Sequence, residues 1–199
     1  MDPQSAAPPT RPTGPLFDRE KTLALLHEYT EGEALRRHAY AVEAAMRAAA
    51  ERTGQDAQLW AAAGLLHDFD YERYPELPDH PLKGAEILRE RGYPEQFVRL
   101  VLSHASHTGV PRDTDCARWL FAIDELAGFC MACAMVQPDR RVASVKVKSV
   151  KKKLKQKHFA AKVNRDEIRQ GADELGLELD ELIHHVLQAL CSVAPELGL

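Results

Sequence analysis

Six side chains carry polar chemistry at positions where the hydrophobic pattern calls for apolar ones. His38 lies in the stripe Leu35, Ala39, Val42 and Met46, whose spacing marks one face of a helix, so its imidazole is expected to point inward. His67 and Asp68 end the apolar run that begins at Trp60, and His104 closes the run that begins at Phe97. Asp124 sits inside the apolar stretch from Trp119 to Phe129, and His80 opens the segment HPLKGAEIL. A buried polar group without a partner costs about 1–3 kcal/mol, and a bare carboxylate costs more. Each residue taken singly can be a hydrogen-bonded core residue or half of an ion pair. Taken together, a shared divalent cation satisfies them at once, because neutral imidazole and carboxylate are ligands for first-row metals. Side chains converging from facing helices are one way to build such a centre.

The elements that must position them read as helices. Asp18 is a suitable N-cap for the first, and Gly54 stops a second that begins near Glu33. Residues 55–74 read as a central helix, apolar nearly all round in its middle. After a loop over Pro75–Pro81 come a helix ending at Gly92 and another with Pro94 in its first turn. A long apolar helix then runs from Cys116 to a stop near Pro138, and two amphipathic helices follow after Asn164. No strand-like alternation of useful length interrupts this pattern. The expected fold is all-α, a single-domain helical bundle. A proline-rich tail over 1–15 is expected to be disordered, with a metal-binding core over 16–138 and a basic helix plus terminal helices over 139–199 packed on it.

The order His38, His67-Asp68, His80, His104, Asp124 resembles that of the HD superfamily of metal-dependent phosphohydrolases. The contexts LRRHAYAV, AGLLHDFDY, DHPLKGAEIL and LFAIDELAG carry the resemblance. The tail KVKSVKKKLKQKHFAAKVNRDEI is similar to that of a small bacterial branch of predicted HD hydrolases. The resemblance implies an HD-type bundle in which His38, His67, Asp68 and Asp124 hold a first metal. In members with two ions the aspartate of the doublet bridges them, and His80 and His104 match the ligands of the second. One or two divalent ions (Mn, Fe, Mg, Co or Ni) are therefore the expected cofactor. One departure is that the family's frequent His-Asp-Ile-Gly reads His67-Asp68-Phe69-Asp70, which adds a carboxylate near the site. His107 stands as an alternative ligand to His104, or as a donor to a substrate oxygen. Lys83 and Arg37, close in sequence to His80 and His38, are candidate phosphate clamps, with ordinary solvated charge as the plainer reading.

The activity this implies is hydrolysis of a small phosphorylated substrate, a nucleotide or dinucleotide first among them, by water activated on the metal, with Asp68 and Lys83 as the catalytic candidates. The alternatives are an HD-type di-iron oxygenase and a metal-binding regulatory module without turnover.

Composition sets the remaining bounds. The chain has 199 residues, 26 Lys and Arg, 30 Asp and Glu, a formal charge of -4 and 45% hydrophobic residues, a balance typical of globular domains. Four cysteines are too few for a disulfide scaffold, and the Cys130-x-x-Cys133 pair lies among apolar helix residues, as core cysteines do. The absence of a long apolar run or an apolar leader points to a cytoplasmic protein without a membrane partner. The mild net charge hides eleven Lys and Arg, with no Asp or Glu, between Arg140 and Arg165. Val147, Val150 and Leu154 form an apolar stripe there, so the segment reads as an amphipathic helix. Its lysines are solvated or form a positive rim, centred on Lys151–Lys153, that draws in an anionic substrate. With Phe159 its only aromatic, nucleic-acid binding by base stacking is disfavoured. Oligomeric state is left open.

Overall fold

A computed structural model of the chain describes residues 15–199, so the expectation of a disordered tail lies, apart from Pro15, outside the described residues. Ten α-helices and no strand occur among them. In chain order they are α1 (Arg19–Tyr29), α2 (Glu33–Thr53), α3 (Ala57–Leu66), α4 (Asp79–Glu90), α5 (Glu95–Leu102), α6 (Asp115–Met135), α7 (Val147–Leu154), α8 (Arg165–Leu175), α9 (Leu179–Ser192) and α10 (Ala194–Leu197). The all-α reading holds. Among the described residues no helix is long and apolar enough to cross a membrane.

Several boundaries follow the local signals. The Asp18 carboxylate accepts the Glu20 N–H at 3.0 Å and caps α1. Gly54 ends α2 in the left-handed region, at φ 67°. Pro94 sits one step earlier than expected, at the N-cap of α5 rather than inside its first turn.

The larger difference is at α3. It stops at Leu66, and residues 67–73 form turns instead of continuing the central helix. Polar groups take over the backbone there: His67 Nδ1 donates to the Gly64 carbonyl at 2.8 Å, and the Thr30 hydroxyl donates to the Phe69 carbonyl at 2.9 Å. The helix therefore ends where the polar doublet begins.

Long helices α2 and α6 form the frame, with α3 lying against α2 and α8 and α9 against α6. At Gly64 an added Cβ would stand 2.8 Å from the Val42 carbonyl oxygen, so only glycine allows α3 so near α2. Gly171 does the same for α8 against α6, where a Cβ would stand 2.5 Å from the Ala122 Cα. Arg112 reinforces that contact by pairing with Glu174 through two hydrogen bonds while lying 3.8 Å over the Phe121 ring. In the basic segment Val150 and Leu154 are buried and join the common apolar core, as the stripe requires. Cys130 and Cys133 are fully buried in the same core.

Candidate metal centre

Five elements bring the six side chains together. His38 comes from the second turn of α2 and Asp124 from the middle of α6. His67-Asp68 follows the last residue of α3, His80 lies at the kinked start of α4, and His104 lies just past α5. Donor atoms of His38, His67, Asp68 and Asp124 all lie within 4.8 Å of one another, and so do those of Asp68, His80 and His104. The two sets share Asp68 and divide its oxygens. Oδ2 faces His67 Nε2 at 3.5 Å, while Oδ1 faces His80 Nε2 at 3.2 Å and His104 Nε2 at 3.1 Å. On the first side Asp124 Oδ1 lies 3.0 Å from His38 Nε2 and 3.3 Å from His67 Nε2.

The positions at helix ends have a physical reason. The last carbonyls of a helix lack an intrahelical partner. His67 Nδ1 donates to such a carbonyl three residues back, and His104 Nδ1 does the same with the Val101 carbonyl at 2.6 Å. The bond fixes the ring and puts the proton on Nδ1, which leaves Nε2 free to present a lone pair. His80 reaches that state through a carboxylate: its Nδ1 donates to Asp70 Oδ1 at 2.9 Å. Asp70 is fully buried, and its other oxygen accepts the Gly84 N–H at 2.8 Å. The extra carboxylate in His67-Asp68-Phe69-Asp70 is thus an orienting group behind His80, the arrangement that raises ligand basicity in many metal sites.

Lone pairs aimed at carboxylate oxygens some 3 Å away repel unless something positive lies between them. Protons can supply that charge. Burial alone would lower the His67 pKa, but the carboxylates of Asp68 and Asp124 outweigh it and push the group up to about 10. Burial is outweighed in the same way at His80, where Asp68 and Asp70 push the group up to about 9. Against burial, the facing imidazoles hold Asp68 and Asp124 below the usual carboxylate range. A divalent cation supplies the same charge with better geometry. His67 Nε2 is buried with no hydrogen-bond partner among the described residues, and a metal ion is the partner such a nitrogen fits.

The centre opens into a cleft of about 590 Å³. His38, Asp68, His80, His104 and Asp124 face it, with His107, Glu125, Lys162 and Glu167 on the surrounding wall. Burial and the nearby Asp124 push Glu125 up to about 7, and the same two causes raise Glu167. Gly128 also lines the cleft, where an added Cβ would make an ordinary van der Waals contact with the His38 ring at 3.6 Å.

His104 shares the second donor set; His107 does not, and its Nε2 lies 3.1 Å from the His80 carbonyl on the cleft wall. The two candidate clamps are elsewhere. Arg37 pairs with Glu33 at 2.6 Å and Lys83 with Glu86 at 2.8 Å, and neither lines the cleft. Lys151–Lys153 do not line it either: Lys151 pairs with Asp180 at 2.5 Å and Lys153 lies 4.2 Å over the Phe159 ring. Glu125, Glu167 and Lys162 had not been singled out from the sequence. Glu125 had a signal in its place beside Asp124 and Lys162 in its place within the basic segment; Glu167 had none.

Residues 35–128 match the HD domain family, and the match spans all six side chains. A tRNA (cytidine(56)-2'-O)-methyltransferase of Thermoplasma volcanium is 32% identical over 87 residues, which is 44% of this chain and 25% of that protein. The chain thus covers about a quarter of this curated relative. No solved structure matches it.

Proposed function

We propose, from the premise that residues 35–128 are an HD domain, that the protein is a phosphohydrolase acting on a small phosphorylated molecule of nucleotide size, with a two-ion centre. HD domains belong to the metal-dependent hydrolases, and the His and Asp clusters here can hold such ions. The observation that carries the finer reading is the division of Asp68, whose two oxygens face two separate nitrogen sets as a bridging carboxylate would. His38, His67 and Asp124 would complete the first ion's ligands, and His80 and His104 the second's. The relative's methyl transfer is not carried over, because the match spans only a quarter of that protein.

Divalent cations, when bound, acidify water and neutralise charge on phosphoryl oxygens. The chain's own contribution is positional. Imidazoles held through Nδ1 keep their Nε2 atoms aimed inward, so little reorganisation is needed as charge develops. Asp70 holds the His80 ring from behind. Glu125 is a wall carboxyl raised by burial and by the neighbouring Asp124, and His107 is an imidazole within the same cleft. A cleft of about 590 Å³ lies in the range that takes a small organic ligand.

The test is elemental analysis of the purified protein followed by a phosphate-release screen over nucleotides with Mn, Mg, Co, Ni and Fe(II). Release that disappears in His67→Ala and Asp68→Ala, with metal content lost and far-UV circular dichroism retained, is expected. No release with any metal, or full metal content in both variants, overturns the reading. Tightly held iron with oxygen consumption would replace it by oxygenase chemistry.

A further inference from the structure

The match to the HD domain ends at residue 128, yet the cleft wall does not. Lys162, Val163 and Glu167 line it too, from the chain between α7 and α8 and from the start of α8. Of the eleven basic residues between Arg140 and Arg165, Lys162 is the one on this wall, and the wall holds no other Lys or Arg. Lys83, Arg37 and Lys151 have carboxylate partners, whereas Lys162 is exposed and has none among the described residues.

Its place on the chain is built. The Arg165 guanidinium donates to the carbonyls of Gln156 (3.2 Å), Phe159, Ala160 (3.3 Å) and Val163 (2.8 Å), and lies 5.5 Å over the Phe129 ring of α6. Ala160 is held in the left-handed region at φ 43°, a conformation costing a non-glycine residue roughly 1–2 kcal/mol. Such strain persists only where the surroundings fix it. Asn164 then caps α8 by accepting the N–H groups of Asp166 and Glu167. The lysine is therefore carried to the cleft by a clamped loop.

The electrostatics of the cleft say what it would meet. Asp68 and Asp124 would be offset by bound ions, while Glu125 and Glu167 bring no positive charge to the wall. A substrate with one phosphoryl group can place it at the ions and needs nothing further. A second anionic group, reaching toward the wall, needs a cation there. We propose that Lys162 is a specificity-determining residue that pairs with the second phosphate of a diphosphate, so that diphosphate-bearing molecules are preferred over simple monoesters. The proposal rests on the reading of this cleft as a phosphohydrolase site, but its test does not depend on turnover.

Binding of pyrophosphate and of inorganic phosphate to the metal-loaded full chain is measured calorimetrically for wild type, Lys162→Gln, Lys162→Arg and Lys152→Gln, with metal content determined for each. The expected result is a pyrophosphate Kd raised about five- to tenfold in Lys162→Gln, partly restored in Lys162→Arg and unchanged in Lys152→Gln. Inorganic phosphate should change by less than about twofold across the set. An unchanged pyrophosphate Kd in Lys162→Gln at full metal content overturns the proposal, as does an equal loss in Lys152→Gln or a wild type that does not bind pyrophosphate. Lys162-dependent binding without phosphate release from any substrate would leave the proposal standing and remove the hydrolase reading alone.

Discussion

Replacing Asp70 by Asn tests the centre without touching a ligand. The carboxylate is fully buried and accepts two hydrogen bonds, from His80 Nδ1 at 2.9 Å and from the Gly84 N–H at 2.8 Å. Asparagine has nearly the same shape but only one accepting oxygen. If that oxygen keeps Gly84, the amide NH2 faces His80 Nδ1, and the imidazole must move its proton to Nε2. The lone pair aimed toward Asp68 Oδ1 is then lost. If the amide turns round, two donors face each other at Gly84, and the site is too tight for relaxation: even a Cβ on Gly84 would stand 2.8 Å from the Asp70 Cγ. One mispaired buried group costs about 1–3 kcal/mol, roughly 2–12 °C in Tm for a chain of this size. Loss of such an orienting partner typically costs 10- to 100-fold in metal affinity, about 1.4–2.7 kcal/mol. The loss should fall on the ion held by Asp68, His80 and His104, while the ion held by His38, His67 and Asp124 changes by less than about threefold. Equilibrium dialysis with elemental analysis, paired with calorimetric titration, reads the two affinities. Two ions bound with unchanged affinity, or an equal loss at both sets, would refute the reasoning.

Two further outcomes follow from the same geometry. His67 and His80 are raised to about 10 and about 9, so at pH 7 both hold protons that a metal must displace; loading should release about two protons per chain at pH 7 and fewer by pH 10, read as the buffer dependence of the binding heat. By linkage, the stability these imidazoles give the metal-free protein is fully present below about pH 6.5 and lost as pH rises through about 9 and 10. That of the depressed Asp68 and Asp124 is present above about 3.8 and lost in acid, so Tm should plateau between these limits. At the α6–α8 contact, Gly171→Ala places a Cβ about 2.5 Å from the Ala122 backbone, an overpacking that should cost about 1–3 kcal/mol; a thermal melt within 1 °C of wild type would contradict it.

The donor residues were legible because each announces itself locally. His67-Asp68 and His104 interrupt apolar runs at the places where α3 and α5 end, and both imidazoles then bond to carbonyls left over by those ends. The fold class was legible for the same reason, since apolar spacing and caps are local. The over-long central helix shows the limit. Phe69 keeps the apolar pattern going, but Thr30, distant in sequence, takes the Phe69 carbonyl and the His67 ring takes that of Gly64. Arg37 and Lys83 lie close to His38 and His80 in sequence but do not line the cleft, because nearness along the chain is not nearness in space. Arg37 is His38's immediate neighbour on α2 and faces another side, since adjacent helical residues do not share a face. Lys83 follows a kink at His80 and Pro81 and points to solvent and Glu86. Asp70 was visible as a departure from a familiar tetrapeptide, while its role as the group behind His80 needed α4 to fold back over it.

Charge is where the three-dimensional arrangement changes the reading most. A cluster of eleven cations invites a long-range account in which Lys151–Lys153 draw in an anionic substrate. Exposed charges more than about 8 Å apart are largely screened at physiological ionic strength, and Lys151 is already paired with Asp180. Lys162 stands on the cleft wall, where it can meet a bound anion directly, whereas Lys151–Lys153 do not line the cleft. Among the segment's basic residues Lys162 is the one on the cleft wall, carried on a loop that Arg165 clamps, while Val150 and Leu154 anchor the preceding helix in the core. Salt should accordingly weaken pyrophosphate binding with the shallow slope of one contact, and that slope should flatten in Lys162→Gln but not in Lys152→Gln. This separates a specific pair from a diffuse field, because a rim would lose part of its effect with either substitution.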